Sequence, residues 1–272
     1  MPELPEVERA RAAIEDRALH RRIVAVDDAD AYVCRPHSTG EIASALVGRE
    51  LTEVHRRGKT MWVETGGGGP DLGLHLGMAG RIAIDEDPAP NRWDRFTLEF
   101  EDGGRMALRD KRRLSRARLD PDLSDLGPDA AEVSRAQFRD RVGRGASPIK
   151  ARLLDQSVLA GVGNVYRAES LFRARLNPLT PGAKVSKRRW SALWADLVDL
   201  MEYGVQTGRI DTVRPEHEPE AMGRQARVDD HGGEVYVYRR HGQACHVCGA
   251  VIRTRLLEGR NLFWCPTCQR RR

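Results

Sequence analysis

Three residues in the first sixty carry chemistry that surface residues rarely supply. Once the initiator methionine is removed, Pro2 becomes a terminal secondary amine. Such an amine attacking a sugar C1′ gives an iminium ion, an electron sink that permits loss of the C1′ substituent and then elimination. Glu3 lies beside it, placed to exchange protons with an opening sugar ring. Lys59, in His55-Arg56-Arg57-Gly58-Lys59-Thr60, is expected to begin a strand and to protonate a departing group. Each also has an ordinary reading, since Met-Pro starts are common and an exposed lysine before a strand commonly serves solubility.

The cysteines are more specific. Cys245, Cys248, Cys265 and Cys268 form Cys-x2-Cys-x16-Cys-x2-Cys. Two tight turns then offer two thiolates each and close a tetrahedral shell around one zinc ion. All four ligands come from protein, so this Zn2+ is structural and holds a hairpin over 251–263 that is too short to fold unaided. The rival reading, two disulfides, suits a cytoplasmic protein poorly. Such ribbons occur in unrelated proteins, so the site names a module and not a function. Cys34 stands alone and is expected to be a small buried apolar residue.

Charge points to a class of partner. The net charge of +5 is concentrated in two islands. Residues 105–118 hold six Arg, one Lys and only Asp110 as an acid; 239–272 hold eight Arg and only Glu258. Basic islands on a near-neutral background suit the phosphates of a polyanion, or form a solvated basic surface. The 272 residues, 40% hydrophobic, suffice for two domains with cores of their own. No apolar run approaches the roughly 18–20 residues needed to span a bilayer, and the start lacks the basic and apolar regions of a secretory signal. The expectation is a soluble, cytoplasmic protein.

These residues need elements to position them. Val7, Ala10, Ile14 and Ala18 recur on one face of a helix over 6–18. A strand over 22–26 and a short helix opened by a Ser38–Glu41 capping box and closed near Gly48 follow. From 51 to 108 the chain reads as consecutive strands, among them 60–65, 72–76, 81–84 and one bearing Phe96, Leu98 and Phe100. After Pro128 the period becomes helical, at 134–142, 148–156 and 164–175. The clearest helix, 186–203, buries Trp190, Leu193, Trp194, Leu197, Leu200 and Met201 and stops at Gly204. Residues 207–233 are polar and aperiodic, and a small β module occupies 234–269. The fold class is α+β, in three parts: a β domain with flanking helices over 1–127, a helical domain over 128–233, and a zinc module over 234–272.

Taken together, the motifs resemble one family. Pro2-Glu3-Leu4-Pro5-Glu6-Val7-Glu8 is similar to the opening of the formamidopyrimidine-DNA glycosylases, relatives of endonuclease VIII. The likeness continues through Lys59, His75-Leu76-Gly77-Met78-Ala79-Gly80, Asp110-Lys111-Arg112-Arg113-Leu114 and Gly161-Val162-Gly163-Asn164-Val165-Tyr166. It ends at Gly259-Arg260 and the four cysteines. The resemblance implies an N-terminal β-sandwich, a helix–two-turn–helix domain and a zinc ribbon hairpin. It implies a monomer acting on double-stranded DNA that carries damaged bases or abasic sites, with no membrane association. Pro2 would be the Schiff-base nucleophile, Glu3 the acid–base residue supported by Glu6, Lys59 a residue of β-elimination, and Arg260 a phosphate ligand assisting δ-elimination. Asn164, Lys150 and His75 would contact DNA. Met78, Arg112 and Leu114 would fill the gap left by the extruded nucleotide, since C1′ is inaccessible inside a duplex.

The sequence also departs from the family. Lys111 and Leu114 stand where purine-specific members have proline and a wedging phenylalanine, and Trp93 where many relatives have a phosphate-contacting histidine. Arg214-Pro215-Glu216-His217-Glu218-Pro219 does not resemble the segment covering a flipped oxidised guanine, and the Pro-Glu-Gly opening of endonuclease VIII is absent. The function expected is excision of oxidised purines, formamidopyrimidines and 8-oxoguanine, followed by β/δ-elimination. Oxidised pyrimidines or other adducts are the alternative within the same chemistry. A non-catalytic damaged-DNA-binding zinc protein is the alternative of another class, opposed by the retained Pro2, Glu3, Lys59 and Arg260.

Overall fold

The computed structural model describes residues 2–86, 89–143, 147–228, 233–257 and 259–270. Two compact units emerge, one of Pro2 with Glu6–Ser124, the other of Glu3–Pro5 with the chain from Asp125 onward.

The first unit opens with α1 (Leu4–Arg17) and β1 (Ile23–Asp27), then α2 (Glu41–Leu46). Seven strands follow: β2 (Leu51–Arg57), β3 (Thr60–Thr65), β4 (Leu72–His75), β5 (Arg81–Ile84), β6 (Asp94–Phe100), β7 (Arg105–Arg109) and β8 (Arg116–Leu119). They form two four-stranded antiparallel sheets, ordered β1-β6-β7-β5 and β2-β3-β4-β8. Phe96, Leu98 and Phe100 of the first sheet share one core with Met61, Val63 and Leu74 of the second, which makes the unit a β-sandwich. Val7, Ala10 and Ile14 bury the expected face of α1 in that core.

The expected capping box at α2 is only half built. Ser38 N donates to the Glu41 carboxylate at 3.0 Å, but the N-cap is Gly40, with φ +87°. Asp28 supplies the cap instead, accepting from Gly40 N at 2.7 Å, Ile42 N at 3.0 Å and Ala43 N at 3.1 Å. A partner twelve or more residues away lies outside any local spacing rule.

The second unit contains α3 (Arg135–Val142), α4 (Ile149–Leu154), α5 (Asn164–Arg173), α6 (Lys187–Thr207), the single turn α7 (Pro219–Met222) and the hairpin β9 (Arg253–Leu257) with β10 (Arg260–Trp264). Here the box is complete: Ser134 caps α3 by accepting from Gln137 N, and Gln137 Oε1 accepts in turn from Ser134 N. Trp190 and Leu193 lie in the core, and Trp190 meets Phe138 edge-on at 5.8 Å.

Helix α6 does not stop at Gly204. It runs to Thr207 and ends at Gly208, with φ +68°. Gly204 is buried inside it, and a Cβ there would collide with Tyr166 Oη and Pro5 Cγ. Close approach explains that glycine, not termination. The segment expected to be an aperiodic loop from 207 is tied down where it is described: Ile210 and Thr212 are fully buried, and a 3-10 turn (Pro215–His217) precedes α7. The rest of that reading, 229–232, lies outside the described residues. Nor does Glu234 open a β module: within 233–252 the β structure is an isolated antiparallel bridge between Ala244 and Val251, and the paired strands are those of the hairpin. Among the described residues no helix is long and apolar enough to cross a membrane.

Candidate functional site

The second unit assembles around the N-terminus of α5. The loop before it is held by Gln156, whose Nε2 donates to Leu154 O at 2.9 Å and Val162 O at 3.0 Å, and whose Oε1 accepts from Gly161 N at 3.2 Å. Glu3 is fully buried at the mouth of the helix, accepting from Val165 N at 2.8 Å and Tyr166 N at 3.2 Å. Its carboxylate therefore sits at the positive end of the helix dipole, met by two backbone amides. Asn164, expected to hold a phosphate with the amides of this terminus, opens α5, but two of those amides are already engaged by Glu3. Its Oδ1 is enclosed without a hydrogen-bond partner among the described residues.

In the first unit, Pro2 is half-buried and directly precedes Glu3. Lys59 does not begin a strand. It occupies the two-residue turn joining β2 and β3, after Gly58 with φ +57°. The register pairs Thr60 with His75, and the Lys59 charge reaches that imidazole. Burial, then Lys59 and Arg118, lower the His75 pKa to about 4. His75 is thus neutral near pH 7, and its Nδ1 accepts from Gly77 N at 3.0 Å. Glu6 lies half-buried in the first turn of α1.

Met78, Arg112 and Leu114 come together on two loops. A Cβ at Gly77, which has φ +61°, would strike the backbone of Leu114, so the 76–80 and 110–115 loops touch where only glycine fits. Asp110, almost fully buried, shapes the second loop by accepting from Arg112 N, Leu114 N and Ser115 N at 2.7–2.8 Å. Met78 and Arg112 project into solvent while Leu114 is half-buried. Trp93 adjoins this loop: its carbonyl accepts from Asp110 N at 2.9 Å, and Arg92, Arg95 and Lys111 lie over its ring at 4.5–5.6 Å.

The sulfurs of Cys245, Cys248, Cys265 and Cys268 all lie within 4.8 Å of one another, with Cys245–Cys268 at 4.0 Å and Cys248–Cys265 at 3.5 Å. Zinc–sulfur bonds of about 2.3 Å in a tetrahedron require sulfurs about 3.8 Å apart, so the set fits one zinc ion. Burial raises the Cys245 thiol to about 11 and moves Cys268 upward as well, while at Cys248 burial is outweighed by hydrogen bonds from the Ala250 amide and the neighbouring thiols, which move it down. Cys34 takes no part; it is buried in the first core, which pushes its thiol up to about 12.

Arg260 is exposed at the start of β10, next to Gly259 with φ +69°. Lys150 is buried, and its Nζ donates to Leu257 O at 3.5 Å. Arg167, equally buried, donates from Nη2 to Asn261 O at 3.1 Å. Two cations from helices thus anchor the backbone of the hairpin that carries Arg260.

Sequence reasoning missed Arg167 and, on the same helix, Glu169. The Glu169 carboxylate accepts from Thr212 Oγ1, Tyr236 N, Val237 N and Tyr238 N at 2.7–2.8 Å, strapping 236–238 and Thr212 to α5. A signal was available: both charges sit within Val165-Tyr166-Arg167-Ala168-Glu169-Ser170-Leu171-Phe172, a helix buried on every side.

A β-sandwich, a helical unit whose first helix amides hold a carboxylate, and a zinc hairpin define a class of DNA-repair protein. The comparisons agree segment by segment. Residues 1–117 match the formamidopyrimidine-DNA glycosylase N-terminal domain, 126–215 its H2TH domain, and 242–271 the zinc finger found in FPG and IleRS. "Endonuclease 8 1" of Mycobacterium tuberculosis (strain ATCC 25618 / H37Rv) is 40% identical over 84% of this chain and 87% of its own. The formamidopyrimidine-DNA glycosylase of Nocardioides sp. is 34% identical over 99% and 94%. Among solved structures, Lactococcus lactis Fpg in complex with abasic-site DNA superposes with a TM-score of 0.83 at 25% identity, covering 99% of this chain and all of that one. MutM (FPG) from Thermus thermophilus gives 0.78 at 29%, with 98% of each chain covered. The chain belongs to the formamidopyrimidine-DNA glycosylase family.

Proposed function

We propose that this chain excises oxidised bases from double-stranded DNA and then cleaves the abasic site it has made. Pro2, freed of methionine, attacks C1′ of the extruded nucleotide. Glu3 moves protons at the ring oxygen, with Glu6 in support. The base leaves, and the iminium ion drains electrons through β-elimination assisted by Lys59 and δ-elimination assisted by Arg260. Met78, Arg112 and Leu114 occupy the vacated stack, while His75, Asn164 and Lys150 serve the DNA interface, Lys150 through the hairpin backbone it holds. Zinc, when bound, supplies no chemistry of its own here; it fixes the hairpin that presents Arg260.

The observation that carries this reading is Glu3. A carboxylate buried completely, held by two helix amides and adjacent in the chain to Pro2, is costly to build and unnecessary for binding alone. DNA as partner is supported by the two solved relatives' family and by the abasic-site DNA bound to the Lactococcus lactis protein. Formamidopyrimidines and 8-oxoguanine are the substrates proposed first. Oxidised pyrimidines are a second reading, favoured by the 40% identity to a protein called Endonuclease 8 1 and by an aliphatic Leu114 in the wedge loop.

Borohydride reduction on a panel of duplexes, each with one defined lesion or a ready-made abasic site, tests this. The wild type is expected to form a covalent adduct with the abasic duplex and to rank the lesions, and Pro2→Gly to lose nearly all trapping. Full trapping by Pro2→Gly would overturn the assignment of the nucleophile.

A further inference from the structure

The loop before α5 has glycines at 161 and 163, and they are glycine for different reasons. Gly161 has φ +89°, a conformation that side chains resist. Gly163 is the N-cap of α5 with φ −116° and ψ −162°, extended backbone that any residue adopts. Ser, Thr, Asp or Asn would ordinarily cap a helix there better than glycine. Conformation therefore asks nothing of position 163, and capping argues against glycine.

What demands glycine is Glu3. The three heavy atoms nearest to a Cβ built on Gly163 are Cδ, Oε1 and Cγ of Glu3, all inside van der Waals contact. The carboxylate occupies the place of the missing side chain, and it does the capping, reaching Val165 N and Tyr166 N in its stead. We propose that Gly163 is a positioning residue: its absent side chain is the socket that fixes the catalytic carboxylate on the amides of α5. The inference rests on the reading of Glu3 as the acid–base residue. With alanine at 163, Glu3 must withdraw, its two amide bonds break, and the buried amides lose their acceptor.

This separates two activities. Removing an intact base needs the proton transfers assigned to Glu3, whereas attack on a ready-made abasic aldehyde needs chiefly the amine. A merely structural defect would lower both alike.

The test is a double-mutant cycle on the full-length, zinc-loaded protein. Thermal unfolding, single-turnover excision from a formamidopyrimidine duplex and borohydride trapping on an abasic duplex are measured for wild type, Gly163→Ala, Glu3→Ala and the double variant. Gly163→Ala is expected to lower Tm by about 5 °C or more. It should slow excision at least about tenfold while trapping falls less than about threefold. In the Glu3→Ala background the same substitution should change Tm by less than about 1 °C, because the socket is already vacant. If Gly163→Ala alone does not fold, a folded double variant gives the same support. Equal loss of Tm in both backgrounds, an unfolded double variant, or a Gly163→Ala protein indistinguishable from wild type overturns the proposal. A wild type that excises no lesion would refute the proposed function, and the Tm cycle would still decide the role of Gly163.

Discussion

Asp110 in the first unit and Glu3 in the second are both buried carboxylates that accept backbone amides, and they do opposite work. Asp110 binds amides two, four and five residues ahead of it, so it closes its own loop and presents Met78, Arg112 and Leu114. Glu3 binds amides more than 160 residues away. It shapes nothing locally; the helix shapes it. Separation along the chain therefore distinguishes a carboxylate that builds its surroundings from one that is built around. The first should cost mainly stability when removed and the second mainly chemistry.

That contrast can be broken from either side. Glu169 belongs with Asp110, and replacing it with Ala strands the buried amides of Tyr236, Val237 and Tyr238, while the Thr212 hydroxyl keeps the Glu234 carbonyl at 3.2 Å. The expected loss is the largest of the set, roughly 3–5 kcal/mol in chemical denaturation. Asp110→Ala strands three amides and should lose about 2–4 kcal/mol by the same measurement, with base excision and trapping falling together. Glu3→Gln keeps one acceptor oxygen and should lose only about 1 kcal/mol, yet abolish most excision of intact lesions. If Glu3→Gln destabilised as much as Asp110→Ala while excising normally, the distinction would be lost.

The fold was legible wherever the signal was local. The strands at 60–65 and 81–84, the buried stripe of α1, the helix over 134–142 and the paired cysteines all declare themselves within a few residues of sequence. The corrections share a cause of another kind. Asp28 capping α2, Tyr166 and Pro5 pressing on Gly204, Glu169 strapping 236–238 and Lys150 reaching Leu257 join positions that only the folded chain makes neighbours. In the candidate site the residue types were readable from the motifs. The partner that orients Glu3, and the reason for glycine at 163, were not.

Removing zinc with a chelator, or Cys265→Ser, should loosen the hairpin bearing Arg260 and weaken DNA binding, leaving unfolding of the β-sandwich little changed; unaltered affinity after verified zinc loss contradicts that role. His75 titrates with folding in a defined direction. Its folded pKa, about 4, lies below the ordinary 6.5, so between those values the unfolded chain binds more protons than the folded one. Stability should fall as pH drops from about 6.5 to 4, by at most about 3 kcal/mol for this residue. His75→Asn, which keeps an acceptor for Gly77 N, should flatten that part of the acid limb, measured by denaturant midpoints across pH. An unchanged limb would mean that His75 is not the group responsible.

Which nitrogen reaches the sugar decides the mechanism. The borohydride-trapped complex with abasic DNA, digested with nuclease and protease and sequenced by tandem mass spectrometry, reports that atom. The sugar remnant is predicted on the amine of Pro2, in a peptide lacking methionine. A remnant on Lys59, or on any other lysine, with Pro2 unmodified would contradict it.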